Sequence, residues 1–159
     1  MGKLTTAQIT EYFQIHLPYR NQVLLAHKKI STPGPYTGDQ TILRACFEAS
    51  LITGRMYLNV LGISKDKHDN LVKKQFQTDD VSAEDLGGSL VDVAKIPKAD
   101  NDLFVGFLKM VDKGAAHLTL PMKHPWESTH DAIDLIVAYL KEYVYKPTGN
   151  TFTEQQTSL

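Results

Sequence analysis

The chain has 159 residues, 42% of them hydrophobic, and its 17 Lys+Arg against 18 Asp+Glu leave a formal net charge of −1. That length fits one domain with a core of its own, so neither a disulfide nor a metal is needed to explain folding. The balanced charge excludes a protein that coats nucleic acid by bulk electrostatics, although a local basic stripe can still hold a few phosphates.

The opening "MGKLTTAQITEYF" lacks the apolar core of an export signal, and no run is long enough to span a bilayer, so the expectation is a soluble, cytoplasmic protein with no membrane partner. Thr5 or Thr6 can cap a first helix that carries Ile9, Phe13, Leu17, Val23 and Leu24. It must end before "STPGPYTGD", where Pro and Gly prevent continuation. A second helix, "TILRACFEASLITGRMYLNVL", is apolar around most of its circumference and should stop at Gly62 in a left-handed conformation. Such a helix is expected at the centre of a bundle. The single cysteine, Cys46, lies in this segment without an intrachain partner and fits a reducing compartment, where a buried thiol acts as a small hydrophobe.

From Ser64 to Ala99 the pattern loosens, and "QTDDVSAEDLGGSLVDVAKIPKAD" reads as an irregular excursion with one or two short helices, one capped at Ser82, or a small hairpin at "SLVDVAKI". Asp100 or Asn101 then caps a third main helix whose Phe104, Phe107, Leu108 and Val111 face inward. Pro121 and Pro125 punctuate the next turn. A last helix begins between Trp126 and Thr129, buries Ile133, Ile136, Val137 and Leu140, and yields at "KPTGN" to a frayed polar tail. The expected fold is therefore all-α: an antiparallel bundle of four main helices in one domain over residues 1–147, with an irregular excursion between the second and third helices and a polar tail over 148–159.

Within the first helix, "YRNQVLLAHKK" sets Arg20, Asn21 and His27 on one segment. At about 100° per residue His16, Arg20 and His27 share a stripe, unless Pro18 divides the helix and leaves only Arg20 and His27 related. Such a pair can cleave RNA without a metal. The histidine moves the proton of a ribose 2′-hydroxyl or of the leaving oxygen, the arginine stabilises charge on the phosphate, and Asn21 orients the scissile group. The segment resembles the Arg-x(4-6)-His motif of the HEPN superfamily, small all-helical proteins that are often dimeric ribonucleases or toxins, in which a polar residue commonly follows the arginine. The resemblance covers about nine residues and the helical pattern. It implies Arg20 and His27 as catalytic residues, a homodimer, and RNA or a nucleotide as partner. "KMVDKGAAHLT" offers an imperfect echo, with Lys113 one turn before His117. The plainer reading is that both histidines sit near helix ends, where they favour the C-terminal dipole.

Arg44, Glu48, Arg55 and Asn59 form a second polar stripe on the otherwise apolar second helix. Arg44 and Glu48 can pair at i, i+4 and Arg55 can reach a neighbouring helix, which describes a polar seam or a dimer contact. Alternatively the stripe faces the first helix, with Glu48 orienting His27 and Arg55 adding a phosphate contact. His130 and Asp134 lie one turn apart, with His117, His124 and Glu127 near in sequence, but the Glu-x-x-His and His-Glu-x-x-His patterns are absent. No metal or cofactor is expected. Two functions remain: an RNA-binding or RNA-cleaving bundle using Arg20 and His27, with Asn21, Arg44, Glu48, Arg55, Lys113 and His117 holding substrate, or a dimeric helical interaction module without chemistry.

Overall fold

The computed structural model describes residues 4–114 and 126–155, with the backbone alone at 113, 114, 126 and 127. Thr5 caps α1 (Thr6–Glu11) in a reciprocal capping box, its hydroxyl accepting from the Gln8 amide while the Gln8 side chain accepts from the Thr5 amide. A single wider, π-helical turn, Tyr12–His16, leads without interruption into α2 (Leu17–Ser31). Pro18 does not divide this helix, because it sits in the first turn of α2, where a missing amide is tolerated. His16, at the end of the wide turn, is exposed beside Glu11, 3.3 Å away.

Asp39 caps α3 (Gln40–Val60), and Gly62 closes it at φ +84°, a conformation that favours glycine. The chain then forms a small antiparallel hairpin, β1 (Ile63–Lys65) and β2 (Leu71–Lys73), with Ile63 opposite Lys73 and Lys65 opposite Leu71. The Asp66 carboxylate accepts from the His68 and Asn70 amides at 2.8 and 2.9 Å and fastens the turn, so the excursion does hold a hairpin, but near its start rather than at "SLVDVAKI". The latter segment contains only one short 3₁₀ turn, Val93–Lys95. Ser82 and Asp85 cap each other's amides around a turn that does not extend into a helix. The Gly87-Gly88 pair follows, and the Ser89 amide is bonded to the Tyr143 carbonyl at 2.9 Å.

The third main helix is α4 (Lys98–Gly114) and the last begins as α5 (Trp126–Leu140), which runs through a second π-helical turn, Lys141–Tyr145, into the short α6 (Lys146–Thr148). The described chain is thus mostly helical with one two-stranded hairpin, rather than purely helical. Packing joins α2 to α3, α3 to α4 and α4 to α5, and α5 also touches α2 and α3. One core holds Leu17, Leu24, Leu51, Leu58, Phe104, Phe107, Ile133 and Ile136. The close crossing of α3 and α4 depends on Gly54, where an added Cβ would lie 2.4 Å from Cζ of Phe107. No helix among the described residues is long and apolar enough to cross a membrane.

Two sequence expectations need correction. Helix α3 is buried only in its second half, through Leu51, Tyr57 and Leu58, whereas Ile42 and Ile52 are 54% and 56% exposed. Its general apolarity serves two different surfaces. The tail is not frayed through residue 155. Phe152 packs edge-on against Tyr145 at 5.4 Å, the Thr153 carbonyl accepts from Asn21 at 2.7 Å, and Glu154 pairs with Lys29, so apolar burial and a buried donor hold a segment whose composition is polar.

Candidate functional site

Three places on the molecule carry chemistry, and the sequence-predicted residues are distributed among them. The first is a cavity of about 240 Å³ between the start of α2, the end of α3 and residues 76–86. Leu17, Met56, Val60 and Leu86 give it an apolar lining, Tyr12 and Phe76 add aromatic rings, and His16, Arg20, Asn59, Asp79 and Asp80 supply polar groups. Arg20 is exposed and, among the described residues, has neither an ion pair nor a hydrogen bond. Asp80 is committed to Lys74 at 3.1 Å and to the Gln77 amide at 2.9 Å, and these contacts hold its carboxyl below the usual carboxylate range.

Asn21, expected to orient a substrate, instead lies fully buried one residue beyond Arg20. Its amide donates to Tyr145 Oη at 2.9 Å and to the Thr153 carbonyl, while its Oδ1 accepts from Tyr57 Oη at 2.6 Å. Every polar atom of this side chain is used inside the protein, which ties α2, α3, the last helix and the tail together. Burial pushes the Tyr57 hydroxyl far above its ordinary value, with Tyr145 adding to the effect and Arg20 opposing it, and burial likewise raises Tyr145 to about 12. Both phenols are therefore neutral hydrogen-bonding groups.

The second place is the junction of α2 and α5. His27 is 2% exposed, its Nδ1 lies 3.1 Å from Nε2 of His130, and its ring meets Phe47 edge-on at 5.0 Å. Its backbone amide lies 3.5 Å from Ser50 Oγ, a buried hydroxyl that itself reaches the Val23 and Cys46 carbonyls at 3.0 and 2.8 Å. Burial lowers the His27 pKa from 6.5 to about 4, with His130 adding to the depression. The His27 imidazole is accordingly neutral at pH 7. On the solvent side Lys28 pairs with Asp134, and a separate cavity of about 450 Å³ lined by His27, Tyr36, Gln40 and His130 opens beside it.

Arg20 and His27 therefore line different cavities, although they share one helix. Seven residues of helix separate them by about 10 Å along one stripe of α2; at Arg20 that stripe opens on the first cavity, whereas at His27 it is covered by Phe47 and His130. Glu48 is exposed and does not orient His27, whose place is set by His130, Phe47 and Ser50. His130 was legible in the sequence only as a histidine one turn from Asp134; its position opposite His27, 103 residues away, had no local signal.

The third place is the exposed side of α3. Ile42, Ala45, Ala49 and Ile52 recur at intervals of three, four and three residues and form one stripe, facing away from Leu51, Tyr57 and Leu58. Arg44 and Glu48 flank the stripe. The i, i+4 pair expected between them is not formed, and among the described residues neither has an ion-pair partner. Arg55 does reach the neighbouring helix, where Asp112 receives it at 2.5 Å and is shared with Lys65 at 3.0 Å. His117 and the side chain of Lys113 lie outside the described residues. Among those described, no group of three or more His, Cys, Asp or Glu side chains is placed to hold a metal ion. Comparisons of the chain with family models, with curated proteins and with solved structures found no match.

Proposed function

We propose that this chain is an antiparallel helical bundle that acts as an association module and dimerises through the exposed side of α3. The observation carrying this reading is the apolar seam Ile42-Ala45-Ala49-Ile52, exposed except for a half-buried Ala49, on a helix whose opposite side builds the core. Its spacing is that of a coiled-coil seam. A second copy related by a two-fold axis near residue 47 would set Ala45 against Ala49 of the other copy, and Ile42 against Ile52. The alanines permit close backbone approach, and the isoleucines close the two ends. The same operation brings Arg44 of one copy within about 3 Å, measured along the axis, of Glu48 of the other. Each of these charges, without an ion-pair partner among the described residues, then acquires one across the interface, twice over, as an isologous contact requires.

Sedimentation equilibrium tests this directly. Wild type is expected to be dimeric and Ile52→Asp monomeric with an unchanged far-ultraviolet circular dichroism spectrum. Arg44→Glu and Glu48→Arg should each weaken the dimer, and the double reversal should restore it. A wild-type monomer at high concentration refutes the proposal.

The exposed Arg20, together with the likeness of Arg20, Asn21 and His27 to the HEPN motif, supports a second reading as a metal-independent ribonuclease. That reading requires Arg20 and His27 to act on one phosphate from separate cavities, and His27 to take a proton with a pKa near 4. It is tested by incubating varied RNA substrates with the protein in chelator. Cleavage that His27→Ala abolishes without loss of folding supports it, and uncut RNA removes it.

A further inference from the structure

The cavity at the far end of α3 is separate from the association seam, and its polar groups have an unusual distribution. Arg20 and Asp79 both line it, both are exposed, and they do not pair with each other. Among the described residues neither finds another partner. Asp80 is already neutralised by Lys74, so the mouth presents one unengaged cation and one unengaged anion. The same cavity is lined by the apolar Leu17, Met56, Val60 and Leu86. A cavity of about 240 Å³ is smaller than a drug-sized pocket and suits a small metabolite.

These features constrain the ligand. A guanidinium fork matches a carboxylate in two parallel hydrogen bonds. A dianion such as phosphate would meet Asp79 as well as the arginine and leave the apolar lining unused, and a purely apolar molecule would leave both charges unused. A compact molecule carrying one charge of each sign and an apolar body satisfies every group.

We infer that this cavity binds a free α-amino acid with a large apolar side chain, its carboxylate on Arg20, its ammonium group on Asp79 and its side chain on the Leu17-Met56-Val60-Leu86 lining. Asn59, at the same rim, offers an amide to the carboxylate. The inference stands independently of dimerisation.

Isothermal titration of the full chain with L-leucine and L-phenylalanine, beside N-acetyl-L-leucine and L-leucinamide, separates a free amino acid from either end of a peptide. At least one free amino acid should bind, and each blocked form of leucine should bind about tenfold more weakly or worse, since each leaves one charged group of the site unpaired. Arg20→Gln should abolish binding. Asp79→Asn should weaken L-leucine while leaving N-acetyl-L-leucine unchanged, a selectivity change that a purely structural role would not produce. Both side chains are exposed, so the melting curves should match wild type. Failure of both amino acids to bind at millimolar concentration, or equal binding of L-leucine and its blocked forms, overturns the inference.

Discussion

The buried His27-His130 contact makes stability depend on pH in a window that can be stated in advance. In the unfolded chain the His27 imidazole takes a proton below its ordinary pKa of 6.5, whereas in the folded protein it resists protonation down to about 4. Between those values the unfolded state binds more protons, so the contribution is fully present above pH 6.5 and is lost as the pH falls through the window. At about 1.4 kcal/mol for each pKa unit, the depression is worth about 3 kcal/mol, most of it gone by pH 4.5. The aspartates held low by lysines and backbone amides, such as Asp69 and Asp80, lose their contribution only at lower pH, below their ordinary range. Urea unfolding at pH 7 and pH 4.5 should therefore show a loss of about 2 to 3 kcal/mol for wild type. In His27→Gln, which keeps a polar group near His130 but cannot titrate, this loss should shrink to less than about 1 kcal/mol. Direct NMR titration of the His27 ring should give a midpoint near 4. A midpoint near 6.5, or an equal pH loss in His27→Gln, would mean that the imidazole is not held neutral by burial and that the reasoning fails.

Other perturbations report on separate parts of the fold. Gly54→Ala should destabilise by about 1 to 3 kcal/mol in thermal unfolding, because its Cβ would sit 2.4 Å from a buried Phe107 ring that must move. Asn21→Leu removes the partner of Tyr57 Oη, Tyr145 Oη and the Thr153 carbonyl, and should cost about 2 to 4 kcal/mol while making the tail after residue 150 more sensitive to protease. Arg55→Ala breaks an exposed ion pair with Asp112 and should change stability by less than about 1 kcal/mol, a contrast that separates a surface contact from a core one.

Sequence periodicity by itself determined the helical character of the chain, the break at residues 31–39, the Gly62 stop and the inward positions of Phe104, Phe107, Leu108 and Val111. Those features follow from local rules: the 3.6-residue repeat, capping chemistry, and the backbone limits of proline and glycine. The candidate sites were legible only as residue types. Arg20, Asn21 and His27 stand within eight residues of one another, yet one is exposed, one is the polar centre of the core and one is buried against α5. Which neighbour a side chain meets depends on helices more than 100 residues away. His16 and Arg20 keep the common side expected of them and line one cavity, whereas His27, on the same stripe, meets His130 of α5. The apolar surface of α3 was legible too, but its division was not. A repeat identifies which residues avoid water together, and only the packing of α2, α4 and α5 decides that Leu51 and Leu58 are covered while Ile42 and Ile52 are left in solvent.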